Sequence, residues 1–217
     1  MTSNRINGLY AITPDITDTT QLCMLTQQVL LAGVQYVQYR NKTADHRLRL
    51  IQASALSQLC KQHGAILIIN DHYDLVKEVN ADGLHVGRED ITIVDARRYL
   101  GQSRVIGVSC YNDLELALEA ERQGADYVAF GAFFNSKTKT DTVSASTDLL
   151  SEAKKKLSVP IVGIGGITLG NAASLIRYEI DSIAVSHGLF GAENIRSVAE
   201  KFTQLFSKPD QDFSLSS

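Results

Sequence analysis

The sequence predicts a single-domain α/β fold, a (β/α)8 barrel, and three observations carry that expectation. Eight short β-branched or apolar runs alternate with longer segments whose apolar residues recur at helical spacing. Glycine stands repeatedly where a helix would stop before the next strand, at Gly33, Gly64, Gly101 and Gly124. The length, 217 residues, lies at the compact end of the barrel class. An open doubly wound sheet would normally need fewer strands, and no GxGxxG follows the first run.

Taken in order, strands are expected at 9–12, 36–40, 66–70, 83–86, 105–109, 127–131, 161–164 and 182–185. Between them lie amphipathic segments, among them Leu22, Leu25 and Val29, then Leu48, Ile51, Ala55 and Leu59, then Leu114, Ala117 and Leu118. Asp45, Asp113 and Thr147 suit helix N-caps. The steps Gly33-Val34, Ala81-Asp82-Gly83 and Gly124-Ala125-Asp126 occupy equivalent places just before strands, a weak internal repeat. The barrel is expected to span residues 1–206, and the polar stretch 207–217 to be a disordered tail.

Composition narrows the class of function. Apolar residues make up 44% and charged residues 21%, which is globular rather than disordered or membrane composition. A chain of this size hides roughly 70% of its unfolded surface, so its core needs no covalent staples. No apolar run approaches the roughly 20 residues of a bilayer span, and the start MTSNRING is no signal peptide, so a cytoplasmic protein without a membrane partner is expected. The net charge is −3, without a basic stripe, which argues against nucleic acid as a partner. A homo-oligomer is compatible with this composition. Cys23, Cys60 and Cys110 are odd in number and far apart, and read as free thiols in a reducing compartment. The five histidines show no zinc-type spacing; His85 reads as a satisfied core residue, and His187 stands at a strand end.

In a barrel the active site lies on the loops after the strands, so the strand ends carry the functional argument. Period-two alternation puts Gln38, Arg40 and Lys42 on one face, two cations and an amide aimed at a single cavity that suits a di- or polyphosphate. Glycines in Gly165-Gly166-Ile167-Thr168 let backbone N–H groups approach an anion, and the turn at Ser186 and His187 adds a second set. The loop 132–144 holds Ser136, Lys137, Thr138, Lys139 and Thr140, donors that could close over a phosphate. Asp71 and Asp90 each follow an apolar run, 66–69 and 84–86, so neighbouring parallel strands would carry both to the same end of the sheet. Beside a diphosphate they would repel it, since like charges about 4 Å apart cost roughly 4 kcal/mol at an effective dielectric near 20. An intervening Mg²⁺ relieves this. The same two acids also admit readings as a general acid/base pair or as two helix N-caps.

Seven blocks in one order, VQYRNK (37–42), IND (69–71), ADGLHVGRED (81–90), GVS (107–109), GADYVAFG (124–131), TKTD (138–141) and PIVGIGGIT (160–168), resemble the thiamine-phosphate synthase family. The resemblance implies a (β/α)8 barrel that joins a pyrimidine-methyl diphosphate to a thiazole-ethyl phosphate and releases pyrophosphate. It implies that Gln38, Tyr39, Arg40, Asn41, Lys42, Asn70, Ser109 and Lys139 hold the pyrimidine diphosphate, with Arg40, Lys42, Ser109 and Lys139 acting in catalysis. Asp71 and Asp90 would bind Mg²⁺, while Ser136, Lys137, Thr138, Gly166, Ser186 and His187 would hold the thiazole phosphate. Two departures stand out: Asn135 occupies a position usually held by proline, and His187 follows Ser186 where an aliphatic residue then Ser is usual. A related family of thiazole tautomerases and a non-catalytic phosphate sensor would use the same barrel, but neither calls for the paired acids together with Arg40, Lys42 and Lys139.

Overall fold

The computed structural model describes residues 5–134 and 147–207. In chain order these form β1 (Gly8–Ile12), α1 (Thr19–Leu31), β2 (Tyr36–Tyr39), α2 (His46–Gln62), β3 (Ile66–Asn70), α3 (Tyr73–Glu78), β4 (Gly83–Val86), α4 (Ile93–Leu100) and β5 (Val105–Tyr111). There follow α5 (Leu114–Arg122), β6 (Tyr127–Phe130), α6 (Thr147–Lys156), β7 (Ile161–Ile164), α7 (Ala172–Ile176), β8 (Ser182–Val185), α8 (His187–Phe190) and α9 (Ile195–Ser207). The eight strands are all parallel and close into a barrel in sequence order, with β8 returning to β1. None of the described helices is long and apolar enough to cross a membrane.

Alternation along each strand sorts side chains between two cores. Tyr10, Ile12, Tyr36, Ile68, Val105, Tyr127, Ala129, Val162 and Ala184 fill the barrel. Leu9, Ala11, Val37, Leu67, Ile69, Leu84, Ile106 and Val128 point outward and pack with Leu22, Leu56, Ala117 and Phe202 of the helices. This two-sided burial explains why the strands read as nearly continuous apolar runs. Asp45 and Asp113 cap α2 and α5, accepting from Leu48 N–H (2.8 Å) and Leu116 N–H (3.0 Å). Thr147 opens α6, and the residue before it lies outside the described set.

The strand limits differ from expectation by a residue or two. β2 ends at Tyr39 and β6 at Phe130, whereas β5 runs on to Tyr111. That extension passes through a register shift against β6 between Ser109 and Tyr111, and a bulge of this kind re-aims the strand end next to the cavity. A one-turn helix, α8, intervenes before the eighth crossover helix, α9. Ser207 belongs to α9, and the remainder of the expected tail lies outside the described residues.

The weak repeat has a physical basis at the other end of the barrel. Asp82 donates its N–H to Leu67 O (2.9 Å) while its carboxylate accepts from Leu67 N–H (2.8 Å), so one residue clasps the neighbouring strand twice. Asp126 does the same to Ile106 (2.7 and 2.6 Å), and Asp181 to Ile161 (3.0 and 2.9 Å). Each aspartate precedes an even-numbered strand and holds the odd-numbered strand before it. Hydrogen bonds to a charged group are worth about 1.5–3 kcal/mol. Asp82→Ala is therefore expected to lower stability by about 1–2 kcal/mol in denaturant titration; a midpoint within error of wild type would show that the clasp contributes nothing.

Candidate active site

At the C-terminal ends of the strands lies a cavity of about 710 Å³. Of the residues singled out in the sequence, Gln38, Arg40, Lys42, Asn70, Asp71, Asp90, Ser109 and Ser186 line it together. Tyr39 and Asn41 do not. Tyr39 faces the helix layer, where its hydroxyl donates to Gln52 Oε1 (2.9 Å). The Asn41 amide is fully committed: it donates to Ile16 O (2.9 Å) and accepts from Thr43 and Ala44 N–H (both 3.1 Å), tying down the loop after β2. Both residues line a neighbouring hollow of about 240 Å³ that shares Lys42, Asn70 and Asp71 with the main cavity and adds Arg49 and His72, which touch one another. Ser136, Lys137, Thr138 and Lys139, with Asn135, lie outside the described residues.

The loop after β1 holds the cations in place. Thr13 Oγ1 accepts from Arg40 N–H (2.9 Å) and donates to Arg40 O (3.1 Å), pinning both backbone groups with one hydroxyl. Asp15 Oδ1 accepts from Lys42 N–H (2.9 Å) and pairs with the Arg40 guanidinium at 3.4 Å. Asp15 is thus a positioning residue, to which the sequence motifs assigned no role. Arg88, from the loop after β4, also lines the cavity, with its guanidinium 5.3 Å from the Tyr111 ring.

Neither acid caps a helix. His72 stands at the N-cap of α3 without a side-chain capping bond, and α4 is capped by Thr92. Asp71 adopts a left-handed backbone conformation (φ 62°), which a residue other than glycine holds only when its surroundings over-determine it. Its N–H donates to His85 O (2.9 Å), and Asp90 Oδ2 accepts from Gly87 N–H (2.7 Å). The two carboxyls meet. Burial, then the charge of Asp90 and a hydrogen bond with it, push the Asp71 carboxyl up to about 6, against the pull of Lys42 and Arg40. Among the described residues no third His, Cys, Asp or Glu joins them to complete a protein-only metal site. Two carboxylates open to a cavity are a donor set that fits Mg²⁺, which usually takes one or two carboxylates and completes its shell with water and phosphate oxygens.

The floor of the cavity is polar, and its extent was not legible from the motifs. His85 is buried and satisfied, as expected of a core histidine, but its partners are Ser109 Oγ (2.8 Å from Nε2) and Tyr127 Oη (2.9 Å from Nδ1). Tyr127 and Tyr10 share a hydrogen bond of 2.9 Å, and Gln38 Nε2 donates to Tyr10 Oη (2.8 Å). Burial pushes His85 down to about 4, so its imidazole is neutral at physiological pH.

On the opposite wall, Gly166 has φ 65°, and a Cβ there would lie 2.5 Å from Phe134 O, so the turn after β7 admits only glycine. Asn171 holds that turn by donating to Gly166 O (3.0 Å) and accepting from Thr168 N–H (2.8 Å). Neither Gly166 nor His187 is among the residues lining the main cavity. β8 ends on Val185, so the turn reads Val185-Ser186, an aliphatic residue then Ser, and His187 is the first residue of α8. Its ring lies back over Gly191, where a Cβ would stand 3.1 Å from Cε1.

Paired acids, cations from an adjacent strand and a polar floor at the C-terminal mouth of a closed parallel barrel define an enzyme of the phosphate-handling (β/α)8 class. The chain belongs to the family described as thiamine monophosphate synthase, whose sequence model matches residues 9–189. It is 55% identical to the thiamine-phosphate synthase of Nitrosomonas eutropha over 93% of this chain and 95% of that protein. With the thiamine-phosphate synthase of Nitrosospira multiformis it shares 54% identity, over 97% of this chain and 90% of the relative. The solved thiamine phosphate pyrophosphorylase of Pyrococcus furiosus superposes with a TM-score of 0.83 at 32% identity, covering 92% of this chain and 95% of that one.

The raised Asp71 carboxyl has a consequence for stability. Its contribution is full below the unfolded value near 4 and is lost as pH rises through about 6. In the absence of divalent cations, Asp71→Asn is therefore expected to stabilise the fold at pH 8 by on the order of 1 kcal/mol after allowance for solvent screening, and to make no such difference at pH 4. Thermal melts with chelator at the two pH values check this, and equal melting temperatures at pH 8 would contradict it.

Proposed function

We propose that this chain condenses 4-amino-2-methyl-5-(diphosphooxymethyl)pyrimidine with 4-methyl-5-(2-phosphooxyethyl)thiazole, giving thiamine phosphate and pyrophosphate in the cytoplasm. The observation that carries the reading is the convergence of Arg40 and Lys42 with Asp71 and Asp90 at one cavity mouth, over a floor that ends in Gln38 and Ser109. Family membership supplies the activity, and the shared cavity lining supports the assignment of groups to it.

Diphosphate departure comes first and leaves a short-lived pyrimidine-methyl cation, which the thiazole nitrogen captures. Arg40 and Lys42, with Lys139, donate to the departing diphosphate oxygens, and charge-assisted donors of this kind act where negative charge develops. Asp71 and Asp90 would hold Mg²⁺, which when bound would offset their charge and that of the diphosphate. Asn70 and Ser109 hold the pyrimidine, while Ser136, Lys137, Thr138 and the backbone at Gly166 and Ser186 hold the thiazole phosphate. No cavity residue is asked to act as a nucleophile; the remainder of the rate enhancement comes from holding two partners in register.

Incubation with both phosphorylated precursors is expected to yield thiamine phosphate and pyrophosphate in equal amounts, and only with Mg²⁺ present. Asp90→Ala should abolish Mg²⁺-dependent turnover without unfolding the chain, and Lys42→Ala should lower kcat about 100-fold, the scale of one lost transition-state donor. Normal single-turnover rates in Lys139→Ala would remove that residue from diphosphate departure. Absence of coupled product from the wild type would overturn the reading.

A further inference from the structure

The polar chain beneath the cavity has a direction that its own bonding arithmetic sets. Tyr10 is buried (1% exposed), and its hydroxyl has two polar partners among the described residues, Gln38 Nε2 and Tyr127 Oη. An amide N–H only donates, so Tyr10 Oη accepts from Gln38, and its single proton must go to Tyr127 or remain unpaired in the barrel interior. An unpaired buried donor is costly enough to exclude the second arrangement. Tyr127, also 1% exposed, thus accepts from Tyr10 and spends its own proton on His85 Nδ1. With Nδ1 an acceptor, the neutral imidazole carries its hydrogen on Nε2 and donates to Ser109 Oγ. Ser109, which lines the cavity, then has its hydroxyl hydrogen free to donate into it.

The other end of the chain carries the opposite polarity. Gln38 spends one Nε2 hydrogen on Tyr10, and Oε1 has no partner among the described residues. No described side-chain oxygen or nitrogen is buried without a partner, so Oε1 opens onto the cavity that Gln38 lines. Turning the Gln38 amide over would reverse every bond from Tyr10 to Ser109, so one end cannot change sign without the other.

The relay is also held by shape. The Tyr127 ring stacks on His85 with centroids 5.6 Å apart and meets Tyr10 edge-on at 6.0 Å. It occupies the space that a side chain at residue 107 would fill: a Cβ on Gly107 would lie 1.9 Å from Tyr127 Cζ. The glycine two residues before Ser109 thereby makes room for the tyrosine that orients Ser109's partner.

We propose that Tyr10, Tyr127 and His85 form a buried hydrogen-bond relay whose fixed polarity presents the Ser109 hydroxyl hydrogen and the Gln38 Oε1 to the substrate, and so favours an amino- over an oxo-pyrimidine ring. The ligand part of this statement rests on the function proposed above; the polarity does not. An aminopyrimidine offers an amine hydrogen to the Gln38 oxygen and a ring nitrogen to the Ser109 hydroxyl. The oxo analogue presents a carbonyl and a ring N–H in their places. With its diphosphate arm held by Arg40 and Lys42, the ring cannot turn to exchange them. Tyr10, Tyr127 and His85 are positioning residues in this scheme, acting on the substrate only through Gln38 and Ser109.

Nitrogen-15 NMR of the ligand-free wild type reads the relay directly. His85 is expected with Nε2 protonated and Nδ1 bare, and a proton on Nδ1 would overturn the proposed polarity. In Tyr127→Phe the donor to Nδ1 is gone. Its KM for the aminopyrimidine diphosphate should rise about tenfold, its KM for the thiazole phosphate should stay within about twofold, and its preference over the oxo analogue should fall about tenfold. Tyr10→Phe, which cuts the relay one link earlier, should show the same split and serves if the first variant does not fold. Unchanged ring preference with the relay cut, or equal shifts in both KM values, would reduce these residues to packing. Because the tautomer is measured without substrate, it tests the relay even if the wild type couples nothing, a result that would instead overturn the proposed function.

Discussion

Two carboxyls that cannot both be ionised comfortably in one half-enclosed place constrain the rest of this site. Asp71 and Asp90 end up together because β3 and β4 are adjacent parallel strands in register, Asn70 opposite His85. Their mutual repulsion sets what else the cavity must contain. Arg40 and Lys42 pull the Asp71 carboxyl toward ionisation but do not cancel burial and the charge of Asp90. The remaining imbalance is what a divalent cation would relieve, and with it a diphosphate becomes welcome where the bare acids would repel it.

The barrel supports that arrangement from both ends. Below, Asp82, Asp126 and Asp181 clasp the strands in pairs and fix the register that brings the upper ends together. Above, Thr13 and Asp15 hold Arg40 and Lys42 by their backbone groups. Between the two lies the hydrogen-bonded interior of Tyr10, Tyr127 and His85. A polar interior of this kind is favourable only because every member is satisfied, and that requirement is what gives it a direction.

Much of this was legible in the sequence, for identifiable reasons. Strand positions emerged because both faces of each strand are buried, so runs such as ILII at 66–69 stand out from the amphipathic helices around them. Co-location of Gln38, Arg40 and Lys42 followed from period-two alternation, and that of Asp71 and Asp90 from parallel neighbours. Tyr39 and Asn41 were assigned to the substrate because they sit inside the same motif, yet alternation turns Tyr39 outward and the loop consumes Asn41. Asp15, Arg49 and the Tyr10–Tyr127–His85 relay were not assigned roles because their partners lie far away in the chain, 117 residues for the two tyrosines. For His85 the residue type inside an apolar run was the only signal available. The glycine at Gly107, with no turn to require it, was the clue to a large ring opposite.

The central claim is that Asp71 and Asp90 repel a diphosphate until a cation stands between them. Calorimetric titration of the wild type with inorganic pyrophosphate at pH 8, once with saturating Mg²⁺ and once with chelator, tests it most directly, with the Asp71→Asn, Asp90→Asn double variant alongside. The account predicts that Mg²⁺ tightens pyrophosphate binding to the wild type by at least about tenfold, and that the double variant binds metal-free pyrophosphate better than the wild type does while losing the Mg²⁺ effect. Equal pyrophosphate affinity of the wild type with and without Mg²⁺ would contradict it.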